Sequence, residues 1–199
     1  MGSPWAVART EHKQQVRTRI AAAARELAME RGLAATTMGA IAERAKVSRA
    51  TVYNYFSDAE EALLWAVEEE VDRFSTALER DLVGGPVDRL RAYVDAQVRY
   101  FNEADRRAAA LHFKVAGLSP VIQARMREHT ARLEDLLTRI LADGRDAGDF
   151  RLDIDPGRCA ELIVYLLAGI REQVLRDAAP VQALVDELLA LVEHGLRTA

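Results

Sequence analysis

Cysteine is nearly absent. Cys159 is the only one in 199 residues, which excludes an internal disulfide framework and any cysteine-rich zinc site. Proline and glycine are sparse too, at five and eleven, too few for the turn-dense sequence of a β-sandwich or barrel. Long apolar runs are missing. The longest uncharged one, Leu162 to Ile170, has nine residues, against the roughly 20 that a bilayer-spanning helix needs. Met1 to Ala8 has no basic segment leading into an apolar one, so no secretory signal is expected. What is present is apolar and charged material in the proportions of a folded chain, 50% hydrophobic and 29% charged. A soluble, cytoplasmic protein without a membrane partner is the expectation.

The net charge of −4 argues at first against a polyanion partner, but the average conceals a division. Arg9 to Phe56 carries nine basic and four acidic side chains, a formal +5. From Ser57 onward there are 18 bases and 27 acids, a formal −9. A basic first quarter on an acidic body suits a polyanion-binding module joined to something else.

Helical periodicity runs almost throughout, and no strand-like alternation is found. The pattern predicts an all-α fold of about nine helices. The first covers His12 to Arg31 and stops at Gly32. Thr36 or Thr37 caps a short second helix, and Ser48 caps a third from Arg49 to about Tyr55. Ser57 and Asp58, followed by Glu60 and Glu61, resemble a capping box opening a long fourth helix to about Leu82. Pro86 starts a fifth. A sixth is expected over Asp105 to Val115. Ser119-Pro120, Asp155-Pro156 and Pro180 open the seventh, eighth and ninth.

The segment TTMGAIAERAKVSRATVYNYF, Thr36 to Phe56, reads as a helix-turn-helix. A helix enters the major groove only when it projects from a compact support, and Ile41, Ala42, Ala45, Val47 and Val52 supply that support. Arg49, Ala50, Thr51, Tyr53, Asn54 and Tyr55 are left to face outward. Arg49 suits guanine or a phosphate, and Asn54 suits adenine. Thr37, Ser48, Thr51 and the tyrosine hydroxyls suit phosphate contacts, which position without specifying. Two aromatics and an asparagine on so short a helix would be odd packing material in a mere bundle hairpin.

These residues resemble the DNA-binding signature of the tetracycline-repressor (TetR) family. The likeness rests on Thr37, Ile41-Ala42, Val47-Ser48, Thr51, Tyr53, Tyr55, Phe56, Glu60-Glu61 and Leu63-Leu64. It implies phosphate contacts from Thr37, Ser48, Thr51 and Tyr55, and base-edge contacts from Arg49, Ala50 and Tyr53. There are two departures. Lys46 stands where the turn usually has Gly, adding a candidate phosphate ligand, and Ala59 stands where a Lys often opens the fourth helix. The resemblance further implies a DNA-binding domain over residues 9–56 and an effector-binding and dimerisation domain over 57–199. It implies a repressor that leaves its operator when a small molecule binds, with no cofactor.

One short helix reads few base pairs, so helix-turn-helix proteins bind palindromes as twofold dimers, with recognition helices about 34–36 Å apart. Ile163, Leu166, Leu167, Ile170 and Val174 form an apolar stripe on the eighth helix. Val181, Leu184, Val185, Leu188, Leu191 and Val192 form another on the ninth. By resemblance the two stripes pair across the twofold in a four-helix bundle, with the monomer's own core as the competing destination. The middle helices would then enclose an apolar effector pocket. Its candidate lining is His129 and Met126 on the seventh helix, Gln97 and Phe101 on the fifth, and the aromatics Phe74, Phe113 and Tyr165. Two other readings compete. A helical enzyme lacks support, because His12, His112, His129 and His194 are far apart in sequence and no Cys-x-x-Cys or glycine-rich phosphate loop occurs. A DNA-binding regulator without a small-molecule effector stays open.

Overall fold

The computed structural model describes residues 4–103, 120–175 and 180–197. Among them are eight α-helices and no strand. In chain order they are α1 (Pro4–Arg31), α2 (Met38–Arg44), α3 (Arg49–Tyr53), α4 (Ala59–Asp81), α5 (Pro86–Glu103), α6 (Pro120–Ala147), α7 (Pro156–Leu175) and α8 (Val181–Leu196). The all-α expectation holds. The expected seventh, eighth and ninth helices are α6, α7 and α8, and the helix expected over Asp105 to Val115 lies outside the described residues.

Local chemistry explains most of the boundaries. Gly32 ends α1 with a φ of 81°, a left-handed geometry that costs glycine nothing. Thr37 accepts a hydrogen bond from the Ala40 N–H at 3.2 Å and so caps α2. Ser48 accepts from the Thr51 N–H at 3.0 Å and caps α3. At the start of α4, Asp58 Oδ1 accepts from the Glu61 N–H at 2.8 Å, while Glu61 Oε2 reaches back to the Ser57 N–H at 2.7 Å. This is the reciprocal box the sequence suggests, with the acid reaching one residue further back. Asp155 Oδ1 accepts from the Arg158 N–H at 3.1 Å at the start of α7. Near the end of α6, Gly144 answers to space: a Cβ there would lie 2.1 Å from the buried Phe150 ring.

Helix α1 is longer than expected, starting at Pro4 instead of His12. Proline suits the first turn of a helix, and nothing between Trp5 and Glu11 breaks one.

The chain divides into two compact units. In described residues, the first comprises 4–70 and 120–126, and the second comprises 71–103, 127–175 and 180–197. In the first, Val16, Ile20, Ala24 and Leu27 of α1 meet Ile41 and Ala42 of α2, Val52 of α3, Phe56, and Ala62 of α4. Ala and small β-branched residues let these helices approach closely. In the second, Leu90, Tyr93 and Val94 of α5, Leu137, Ile140 and Leu141 of α6, and faces of α7 and α8 share one core. Helix α4 gives residues 59–70 to the first unit and 71–81 to the second.

The apolar stripes expected to pair across a twofold require correction. Ile163, Leu167 and Val174 of α7, and Leu184, Val185, Leu188 and Val192 of α8, are buried within their own unit, and Ile170 and Val181 pack against them. Of the two stripes only Leu166 and Leu191 are exposed. They are accompanied on α7 by Leu162 and Tyr165, which periodicity alone did not single out as a pairing face. A helix packed on neighbours along one side can still carry a second apolar side, and a stripe cannot name its partner.

Candidate nucleic-acid interface

Helix α2 ends in a turn whose hydrogen bonds fix the direction of α3. The Val47 N–H bonds to Ala42 O at 3.0 Å and the Lys46 N–H to Glu43 O at 3.2 Å. This is the paired pattern of a Schellman motif, with Val47 packed against the core beside Ala42. The motif requires a left-handed residue, and Lys46 fills that place with a φ of 55°, the one positive-φ residue other than glycine among the described residues. Its side chain is exposed. The departure noted at Lys46 therefore leaves the turn type intact.

Helix α3 is anchored through Val52 and Phe56, both essentially buried. Around that anchor Ser48, Arg49, Ala50, Tyr53 and Asn54 are exposed, and Thr51 and Tyr55 are half-buried. Tyr53 keeps 59% of its surface accessible although it is a large aromatic. Asn54 caps the C-terminal end of α3 through its backbone. Tyr55 packs against the head's core, which leaves fewer of its atoms for a ligand than those of Tyr53. Thr37 is exposed at the start of α2. The hydroxyl of Thr37 accepts its capping bond and retains its proton to donate. Ser48 and Thr51 are 2.7 Å apart, oxygen to oxygen, so one donates to the other and one hydroxyl proton of the two is left over.

Not every base in this unit is available. Arg44 of α2 grips Glu30 of α1 with two hydrogen bonds, at 2.7 and 3.0 Å, and Glu26 with a third at 3.2 Å. These bonds push the Arg44 pKa up and tie α2 to α1. The i,i+4 pair Glu26 and Glu30 was the only sequence signal for this clamp. Two further links join α1 to α4 within the same unit. Arg25 pairs with Glu70, and Thr18 donates to Glu69 at 3.4 Å.

The expected effector-lining residues are dispersed. Phe74 is half-buried and packs on Tyr100, with centroids 4.3 Å apart and ring planes tilted by 40°. Gln97 is buried one turn beyond Tyr93 on α5, and the Tyr93 hydroxyl donates to Leu133 O at 3.1 Å. Tyr165 is 68% exposed on α7, so its assignment as a pocket wall is corrected to one of surface aromatic. The side chains of Phe101, Met126 and His129, and all of Phe113, lie outside the described residues. No helix among the described residues is long and apolar enough to cross a membrane.

Comparison with known proteins agrees with this geometry. Residues 20–66 match the family model for bacterial regulatory proteins of the tetR family, and residues 83–172 match a tetracyclin repressor-like C-terminal domain. The HTH-type transcriptional regulator UidR of Escherichia coli K12 is 26% identical over 178 residues, covering 86% of this chain and 90% of that one. Among solved structures, the fatty acid degradation regulator FadR of Bacillus halodurans superimposes with a TM-score of 0.81 at 23% identity, over 92% of this chain and 97% of that one. The transcriptional regulator FadR of Bacillus subtilis, solved with stearoyl-CoA, gives 0.77 at 22% identity, over 89% and 97%. At that identity these two show the shared fold.

Proposed function

Because the chain belongs to the tetR family of bacterial regulatory proteins, we propose that it represses transcription as a homodimer on a palindromic operator and is released by a small-molecule effector. The observation that carries the reading is the presentation of α3. Val52 and Phe56 bury one side, while Arg49, Ala50, Tyr53 and Asn54 are exposed on the other. An exposed helix of this composition on a basic support has the dimensions and donors for a major groove.

In this reading Arg49, Ala50, Tyr53 and Asn54 meet base edges, and Thr37, Lys46, Ser48, Thr51 and Tyr55 meet phosphates. The homodimer forms through α7 and α8 on the face that carries Leu162, Tyr165, Leu166 and Leu191. Release works by population shift. Helix α4 contributes to both units, so an effector that favours one setting of α4 alters the spacing of the two heads. A coupling of about 1–3 kcal/mol weakens operator binding roughly 5- to 150-fold. Domains bounded near residues 9–56 and 57–199 would divide these tasks.

The test has two stages. Duplexes enriched from a random pool should share a palindrome and bind with an affinity that falls steeply with salt. Titration of that complex with small molecules should then release it. The stearoyl-CoA bound by the Bacillus subtilis neighbour makes long-chain acyl-CoA the first compound to try. A protein that enriches no common sequence would be no operator-reading regulator. Release by no compound would leave DNA reading in place and remove the effector.

A further inference from the structure

Helix α2 carries glycine at its second residue, Gly39. Nothing about the backbone there demands glycine, because Gly39 is not among the residues with positive φ. Glycine also disfavours a helix relative to alanine. The explanation lies across the turn. A Cβ built on Gly39 would fall 2.2 Å from Nη2, 2.9 Å from Cζ and 3.0 Å from Nε of Arg49. All three nearest atoms belong to one guanidinium, so the space a side chain would occupy is filled by the head of the first residue of α3.

The geometry points to Gly39 as a positioning residue that aims Arg49 at the DNA through the notch it leaves on α2. This rests on the operator-reading function proposed above. Arg49 itself is exposed, and among the described residues no acceptor takes a hydrogen bond from its guanidinium. Shape rather than charge holds it, so its planar set of donors stays free for a base edge or phosphate. A long side chain loses rotamer freedom when it binds, and a side chain already confined loses less. An alanine methyl at position 39 would evict the guanidinium at little cost to the fold, because only the far end of a flexible side chain has to move.

The experiment is sequence enrichment from a random duplex pool, followed by affinity measurement on the enriched palindrome. The full-length wild type, Gly39→Ala, Arg49→Ala and the double variant are compared. Gly39→Ala is expected to remain folded, with an unfolding midpoint at or above that of the wild type. It should nonetheless weaken operator binding by about fivefold, the lower end for loss of one bidentate contact. It should flatten base preference at the same position as Arg49→Ala does, and the double variant should be no worse than Arg49→Ala alone. A purely structural glycine would leave base preference unmoved. Gly39→Ala with wild-type affinity and preference overturns the inference alone, as do losses that simply add in the double variant. A wild type that enriches no common sequence overturns the operator reading and this inference with it.

Discussion

The guanidinium carbon of Arg17 lies 5.0 Å from the ring centroid of Trp65. It is also 5.4 Å from that of Phe56, and the two rings meet edge to face at 6.2 Å. The Nε of Arg17 is buried and, among the described residues, has no hydrogen-bond partner. Aromatic faces compensate the charge there, joining α1 to the end of the α3 segment and the start of α4. Arg17→Ala should destabilise the protein by about 1–2 kcal/mol, through lost cation–π attraction and lost stem packing. Arg17→Met should cost less, because it keeps the stem and removes the unpartnered N–H. Denaturant unfolding of both variants checks the order, and equal losses would mean that the stem packing contributes nothing and the whole effect lies in the guanidinium over the rings.

Arg49 and Tyr53 make the complementary case, with exposure in place of burial. Arg49→Ala and Tyr53→Ala should each cost about 1–3 kcal/mol in operator affinity if the side chains reach base edges. Both are exposed, so unfolding midpoints should barely change, within about 0.5 kcal/mol. Fluorescence anisotropy on the enriched duplex and a thermal melt together separate the two effects. Wild-type affinity in both variants would assign the groove to another element.

Lys46 should show stability and binding moving in opposite directions. Its φ of 55° costs a lysine roughly 1 kcal/mol, a strain that glycine does not carry. Lys46→Gly should therefore raise the unfolding midpoint, less a small offset from the freer unfolded chain. The same change removes a candidate phosphate ligand. It should weaken DNA binding uniformly across sequences and reduce the salt slope by about one. A salt slope equal to that of the wild type would remove Lys46 from the phosphate contacts.

What the sequence made legible was local. Thr37, Ser48, Asp58 and Asp155 announce helix starts because capping involves groups three residues apart, and Gly32 announces a stop for a similar reason. The helix-turn-helix was legible on the same terms, since its support and its outward face alternate within twenty-one residues, Thr36 to Phe56. Relations between distant residues were not. Ile163 and Leu166 look alike in a periodic pattern, yet the first is buried in its own unit and the second is exposed. Trp65 lies off the main stripe of α4, but it packs on Phe56 and Arg17 because a third element supplies its partner. Gly39 facing Arg49 leaves no periodic trace at all.

Glu193 links stability to pH. Arg91 donates to it at 2.9 Å and Arg197 at 3.2 Å, joining α5 to the end of α8. The hydrogen bonds from Arg91 hold its carboxyl below the usual glutamate value. A carboxyl depressed in the folded state contributes stability above its unfolded pKa, and that contribution is lost as pH falls through the folded one. Glu193→Gln should be less stable than the wild type at pH 7. The gap should close on acidification below the ordinary glutamate range, about pH 4.3. Parallel unfolding curves at pH 7 and pH 3 check this, and a gap that persists at pH 3 would place the effect in packing.

The face of α7 supplies the most direct test of self-association. Leu162 and Tyr165 are 63% and 68% exposed, Leu166 is 40% exposed, and Gly169 one turn on is exposed as well. On α8, Leu191 is 60% exposed. Two leucines, a tyrosine and a glycine on one helix side make little sense facing water, and in a twofold pair each copy would cover the other. Leu162→Glu would place a carboxylate there from both subunits at once, and burying unpaired like charges costs several kcal/mol. The variant should sediment as a monomer at micromolar concentration where the wild type is dimeric. Its operator affinity should fall because a single head then reads half a palindrome. Its fold should survive, since Leu162 belongs to no core cluster. Ile163→Ala, one residue along and buried at 4% exposure, should do the reverse, losing about 2–4 kcal/mol of folding stability. If Leu162→Glu stays dimeric with wild-type operator affinity, the subunits pair through another surface.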